Sequence, residues 1–176
     1  MQEPVHWEEE PIQLTENIDT PKLLIGTCAL VLGAVIYLSD RSPGSVYFIQ
    51  GPMEHLSFYS GERTLFGVAG NHLPSFFHVF SFSLLCSAFI PGKVYQGSLV
   101  CVFWFLVNTL FELGQKFPDQ AASFVPTWFS RFPFFENTAS FFRNGTYDPW
   151  DIVFFALGAG SACAVLWVLK KRSWLR

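Results

Sequence analysis

The stretch Phe103–Phe117, FWFLVNTLFELGQKF, is almost entirely apolar, yet it contains Asn108, Glu112 and Gln115. A carboxylate within the hydrocarbon core of a bilayer is costly, and such groups usually face the bundle interior and pair with other polar groups. The three polar residues are spaced at i, i+4 and i+7, which places them on one face of a helix. The stretch therefore predicts a membrane helix with one polar stripe that faces other parts of the protein.

The composition supports a membrane protein. Of 176 residues, 51% are hydrophobic and only 14% are charged, which is too apolar for an ordinary soluble domain of this length. The net charge of −3 is small and no basic patch is present, so we expect no nucleic-acid partner. The chain has no G-x-S-x-G, P-loop or H-E-x-x-H motif, which argues against a standard hydrolase or nucleotide enzyme. We expect no cofactor.

The four cysteines lie inside apolar runs and form no C-x-x-C pair. This pattern favours small packing residues over a disulfide framework or a zinc site. The cysteines are Cys28, Cys86, Cys101 and Cys163.

Four apolar segments approach the length of about 20 residues that crosses a bilayer as a helix. They are Leu23–Leu38, Leu73–Ile90, Ser98–Phe117 and Trp150–Leu169. The second is the least hydrophobic because it contains several serines and His78. The predicted fold is an all-α membrane protein, a bundle of four transmembrane helices with aromatic-rich extracytoplasmic loops.

The ends of the chain indicate its orientation. Four spans place both termini on one side of the membrane. The basic cluster LKKRSWLR after the last span indicates that this side is the cytoplasmic one. We therefore expect an acidic, flexible cytoplasmic tail over residues 1–21, a transmembrane domain over 22–170 and a basic cytoplasmic tail over 171–176. The loop at 117–150 carries eleven aromatic residues. We expect this loop to lie on or dip into the outer leaflet surface. Packing of the same rings over the end of the bundle is a second interpretation, compatible with the first.

This topology places polar side chains from three helices near the outer face. Glu112 and Gln115 end the third span, Asp148 and Asp151 open the fourth, and His78 lies about one and a half turns inside the second. We expect His78 to pair with Glu112; a neutral Glu112 held by hydrogen bonds is the alternative. Asp151 is stabilised by the positive end of its helix. The fourth span also has two sets of small residues at four-residue spacing, which permit close helix contact: Ala156, Gly160 and Ala164, and Gly158 and Ala162.

The order of three motifs, FFHVFSFSLL, FELGQ and NGTYDPWDIVFFALGAG, resembles the VanZ-like family of small bacterial membrane proteins. In that family a His lies in one transmembrane helix, an E-x-x-Q pair ends the next, and an Asp followed by a Gly opens the last. The matching positions are His78, Glu112, Gln115, Asp151 and Gly158. The resemblance covers roughly residues 70–165 and implies a location in the bacterial cytoplasmic membrane. It also implies a link to glycopeptide resistance, specifically to the lipid-bearing antibiotic teicoplanin.

Two functions follow as hypotheses. In the first, a polar cluster made of His78, Asn108, Glu112, Gln115, Asp148 and Asp151, with Arg143 near the position of a family arginine, binds a lipid or envelope-related ligand. His78 or Glu112 would then be the candidate general base or acid, and the spacing predicts no metal site. In the second, the protein is a non-enzymatic accessory or assembly subunit and Glu112 is a structural clamp. Transport ranks last, because four helices are few and no inverted repeat is evident.

Overall fold

The computed structural model describes residues 18–40, 65–90, 94–132 and 135–173, and within these ranges all regular structure is helical. In chain order the helices are α1 Thr20–Asp40, α2 Gly67–Ala88, α3 Val94–Lys116, α4 Pro118–Ser123, a 3-10 helix Thr127–Arg131, α5 Thr138–Asn144 and α6 Pro149–Ser173. Three of the described helices, α1, α3 and α6, are long and apolar enough to cross a membrane. The all-α prediction is confirmed, and the protein has the helices of a multi-pass membrane protein.

Parts of several predictions lie outside the described residues. These are most of the acidic tail, the end of the basic tail, and four aromatic residues between the first two predicted spans: Tyr47, Phe48, Phe58 and Tyr59.

Helices α1 and α2 pair in opposite directions over their full length. At one end the backbone N–H of Asp19 donates to the carbonyl of Ala88 at 3.0 Å. At the other end the buried carboxylate of Asp40 accepts from the backbone N–H groups of Leu65 at 2.6 Å and Phe66 at 3.0 Å. The two helices therefore extend over the same length of the bundle.

Glycines bring α1 and α2 close together. A Cβ atom added at Gly33 would lie 2.6 Å from Cβ of Phe77, and one added at Gly26 would lie 2.9 Å from Cγ of Leu85. Small residues permit this approach of two helix backbones. The opposite face of α1 is exposed and apolar, as expected for a helix in contact with lipid.

Helix α2 is the central helix, since it packs against α1, α3 and α6. A Cβ added at Gly158 of α6 would lie 2.5 Å from the carbonyl oxygen of Phe76, and Ala162 packs with Leu84 in the core. Of the two small-residue sets in α6, the one with Gly158 and Ala162 is thus buried, whereas Ala156, Gly160 and Ala164 are exposed. Three serines of α2 are buried at this central position: Ser81, Ser83 and Ser87.

The start of α2 differs from the prediction. The helix begins at Gly67, six residues before the predicted Leu73, and Pro74 lies inside it. Hydropathy rises only at Leu73, but the start of the helix is held by two neighbouring helices. His72 contacts Asp151 of α6. Asp40 of α1 accepts the backbone N–H groups of Leu65 and Phe66 just before the helix. This earlier start changes which histidine reaches the polar cluster at the start of α6.

Candidate functional site

Glu112 links the start of α6 to the C-terminal end of α3. Its carboxylate is buried, with 5% of the residue exposed, and Oε1 accepts the backbone N–H of Asp148 at 2.5 Å. Oε2 accepts from Nε2 of Gln115 at 3.4 Å. Gly145 leaves room for the Gln115 amide, with which any Cβ at that position would collide. Glu112 and Gln115 therefore hold the connection between α5 and α6 in place.

Asp148 caps the N-terminus of α6. Its Oδ1 accepts the backbone N–H of Trp150 at 2.9 Å, with Pro149 between them as the first residue of α6. An aspartate N-cap followed by proline is a favourable helix start. The second oxygen, Oδ2, lies 3.8 Å from Nδ1 of His72 on α2. The Asp148 carboxylate thus caps α6 and also faces the neighbouring helix.

His72 and Asp151 form the centre of the cluster. Nδ1 of His72 lies 3.1 Å from Oδ1 of Asp151, which also accepts the hydroxyl of Ser75 at 2.9 Å. The His72 ring stacks on Phe154, with ring centroids 5.3 Å apart. The His72 and Asp151 side chains are 12% and 16% exposed, against 39% for Asp148. A Nδ1–H bonded to Asp151 leaves Nε2 of a neutral His72 as a hydrogen-bond acceptor.

Four of the predicted site residues come together in this cluster: Glu112, Gln115, Asp148 and Asp151. Two others do not belong to it. Nδ2 of Asn108 donates to the carbonyl of Trp104 in its own helix at 2.8 Å. Arg143 lies on α5 with an exposed side chain.

His78 also lies away from the cluster, so the predicted pair with Glu112 does not form. Its ring packs 4.8 Å from Phe82 and 6.3 Å from Trp104, and the residue is exposed. Trp104 precedes Glu112 by eight residues, which is about 12 Å along a helix axis. Six residues separate His72 from His78, a rotation of about 240° around α2. The two histidines therefore occupy different faces, and His72 is the one that faces α6.

The sequence prediction missed His72 and Asp40. A signal was available for His72, because it is spaced at i and i+3 with Ser75. It was missed because the apolar span was started at Leu73. Asp40 had no such signal, since its partners Leu65 and Phe66 lie 25 and 26 residues later in the chain.

The cluster is acidic, with three carboxylates and one imidazole. Within the described ranges, no group of three or more His, Cys, Asp or Glu residues is arranged to hold a metal ion. Because Glu112 is engaged with backbone and amide groups, the partly exposed Asp148 beside His72 and Asp151 is the part open to a ligand. Such a surface suits a cationic or hydrogen-bond-donating group.

No protein-family model, curated protein or solved structure matches this chain. The VanZ-like resemblance therefore stays a hypothesis, and function is argued from the cluster itself.

Proposed function

We propose that the chain is a VanZ-like membrane protein of the cell envelope whose outer polar cluster binds the polar part of a lipid or envelope-related ligand. The observation that carries this proposal is the arrangement of His72, Asp148 and Asp151. A partly exposed carboxylate lies beside a nearly buried His–Asp pair at the end of a helix bundle.

The proposal includes α2 as a fourth span. Helix α2 has 22 residues, which is about 33 Å at the usual rise and matches the hydrocarbon thickness of a bilayer. It pairs with the apolar helix α1 at both ends, through Ala88 and through Leu65 and Phe66. If α1 crosses the membrane, α2 crosses beside it. Its lower hydropathy is consistent with a position shielded from lipid by three other helices.

The orientation follows from the basic residues after α6. Lys170 and Lys171 close the span and favour a cytoplasmic C-terminus. The polar cluster, at the other end of α6, would then lie at the outer face of a bacterial cytoplasmic membrane. A ligand would reach it from the outer leaflet.

Binding is favoured over covalent catalysis. The Ser75 hydroxyl donates to Asp151 and not to His72, so it is not arranged as a nucleophile activated by the imidazole. The charge of the cluster favours a ligand with an ammonium group or several hydroxyl groups, such as an amine-bearing lipid headgroup. Glu112 then acts as a positioning residue, because it fixes the backbone that carries Asp148.

The test is native mass spectrometry of the protein extracted gently from its own membrane. We expect a discrete lipid or envelope-precursor adduct that is lost in His72→Ala and in Asp151→Asn. His78→Ala is the matched control, because it removes the same side chain from the same helix outside the cluster. An adduct that survives both cluster variants, or no specific adduct at all, would refute the proposed ligand site.

A second function, that of an accessory subunit, is favoured by the exposed small residues of α6. Ala156, Gly160 and Ala164 form a face on which, among the described residues, no neighbour lies within 4 Å of a Cβ placed at Gly160. Small-xxx-small faces permit close docking of another membrane helix. The same spectra would then show a stoichiometric protein partner, and Gly160→Leu would remove that partner without removing a lipid adduct.

A further inference from the structure

The segment between α3 and α5 exposes a series of aromatic rings. Five of them are more than half exposed, a high value for side chains of this size, and we call this set the aromatic platform: Phe117 at 54%, Phe124 at 84%, Trp128 at 53%, Phe132 at 51% and Phe135 at 53%. An exposed apolar patch of this kind marks a surface that contacts another protein or a membrane.

Ring contacts, some of them through Phe129, join the C-terminal part of the platform. The Trp128 ring lies 4.5 Å from Phe129 and 5.8 Å from Phe132, and Phe129 lies 5.1 Å from Phe135. None of the five described residues of the 3-10 helix, Thr127–Arg131, is buried. The platform rings are therefore mostly exposed, whereas Phe142 of the same predicted loop is buried.

The flanking helices α4 and α5 fasten the platform to the outer end of α3. The buried ring of Phe142 stacks on Phe111 at 5.4 Å and fits beside Gly114, where an added Cβ would lie 2.5 Å from it. The platform is thus joined to a helix that is apolar enough to cross a membrane. Exposed apolar residues on the last two turns of α3, among them Leu110 and Leu113, continue into Phe117.

We propose that the aromatic platform inserts into the membrane–water boundary beside α3, where its rings contact the glycerol and upper acyl region of lipids. The lipid-facing surface of α3 runs directly into it, so the bilayer is the partner already adjacent to these rings. Aromatic side chains favour this boundary because an apolar ring can contact acyl chains there while nearby polar groups contact water and lipid headgroups. Insertion would also hold the outer end of α3, and with it Glu112, at the depth of the lipid headgroups.

The experiment measures how lipid-borne bromine quenches Trp128. The full chain is reconstituted into phosphatidylcholine vesicles that carry bromine either near the glycerol end or near the methyl end of the acyl chains. The fluorescence of Trp128→Phe is subtracted from that of the parent to isolate the Trp128 contribution. We expect this contribution to be quenched more strongly by bromine near the glycerol end. The Trp167 contribution is isolated in the same way with Trp167→Phe. Its quenching shows that the protein is inserted, because Trp167 is an exposed residue of α6.

Two results would overturn the proposal. A Trp128 contribution that neither lipid quenches, while Trp167 is quenched, would place the platform in water, where a protein partner would be the remaining occupant. Stronger quenching from the methyl end would place it deeper than the boundary. A second variant, Phe124→Asp, should reduce Trp128 quenching while the helical circular dichroism is unchanged. Gln120→Asp in the preceding helix α4 is the control and should have no effect. Equal effects of both variants would also contradict the proposal.

Discussion

The carboxylate of Glu112 links two parts of the chain that are 36 residues apart, because it accepts the backbone N–H of Asp148. It also accepts from Gln115 one turn later on its own helix. A buried carboxylate in an apolar helix is tolerated when such donors satisfy it. Its role in the described structure is therefore to position the start of α6, next to the His72 and Asp151 pair.

We expect Glu112→Ala to lower the free energy of unfolding by about 1–3 kcal/mol, because it leaves the partly buried Asp148 N–H without this acceptor. Glu112→Gln retains a carbonyl oxygen and should lose less. Thermal unfolding in detergent micelles measures both, with the exposed Glu136→Gln as a control that should match the parent. Equal losses in the alanine and glutamine variants would show that charge, and not the acceptor, is what the site requires.

At the scale of single elements, the first turn of α2 depends on a residue from α1. Asp40 accepts two backbone N–H groups just before the helix, from Leu65 and Phe66, and Gly70 leaves space for its carboxylate. This contact takes the place of a local N-cap, since Phe66 offers no capping side chain. The start of α2, and hence the position of His72, is set by the neighbouring helix.

Asp40→Ala should therefore destabilise the protein by about 0.5–2 kcal/mol, the usual effect of losing a capping side chain. The loss should be local, so amide hydrogen exchange should rise in the first turns of α2 and not in α3. Asp40→Asn keeps one acceptor oxygen and should lie between the parent and the alanine variant. Unchanged exchange at residues 65–72 in Asp40→Ala would contradict this role.

Two glycines of α6, one packed against α2 and one exposed, permit a matched comparison within one helix. Gly158→Ala should cost about 1–3 kcal/mol, because the added Cβ would overlap the carbonyl of Phe76 and force the helices apart. Gly160→Ala adds the same methyl group to the exposed face, and it should be neutral or stabilise by up to about 1 kcal/mol through helix propensity. Unfolding in detergent should separate the two variants, and the same change in both would show that α6 does not pack as described.

At the scale of the whole molecule, the pairing of helices sets where each end lies. The start of α1 meets the end of α2, and the end of α1 meets the residues before α2. Gly97 near the start of α3 packs on Leu166 near the end of α6, whereas Glu112 meets Asp148 at the opposite end. Both ends of the described chain therefore lie at the same end of the bundle.

Single cysteines labelled with a membrane-impermeant maleimide should show this arrangement across the bilayer. Cysteines at Leu65→Cys and Gln120→Cys should react with reagent added outside the membrane. Those at Phe89→Cys and Leu175→Cys should react only after the membrane is permeabilised. The parent chain, with its four native cysteines, supplies the background. Position 120 on the same side as position 175 would exclude the predicted topology, and position 65 on the same side as position 89 would exclude α2 as a span.

The local sequence was sufficient for the four long helices and for four of the seven predicted site residues. The periodic apolar segments predicted all four long helices, and the i, i+3 spacing of Glu112 and Gln115 placed them on one face. Asp148 and Asp151 were predicted from the same kind of local evidence, an acidic helix start followed by an apolar run. His78 was chosen over His72 because hydropathy marks the apolar part of a helix and not its polar first turns.

What the sequence by itself determined is the class of the molecule: apolar helices long enough for a membrane, their order, and the polar residues near their ends. The tertiary structure alone decided which polar groups meet, since Asp40 reaches α2 and His72 reaches α6 only through contacts between distant segments. It also decided which small residues of α6 are buried. Helix formation and hydropathy are local properties of a few turns, whereas the rotation of one helix against another depends on packing over the whole interface.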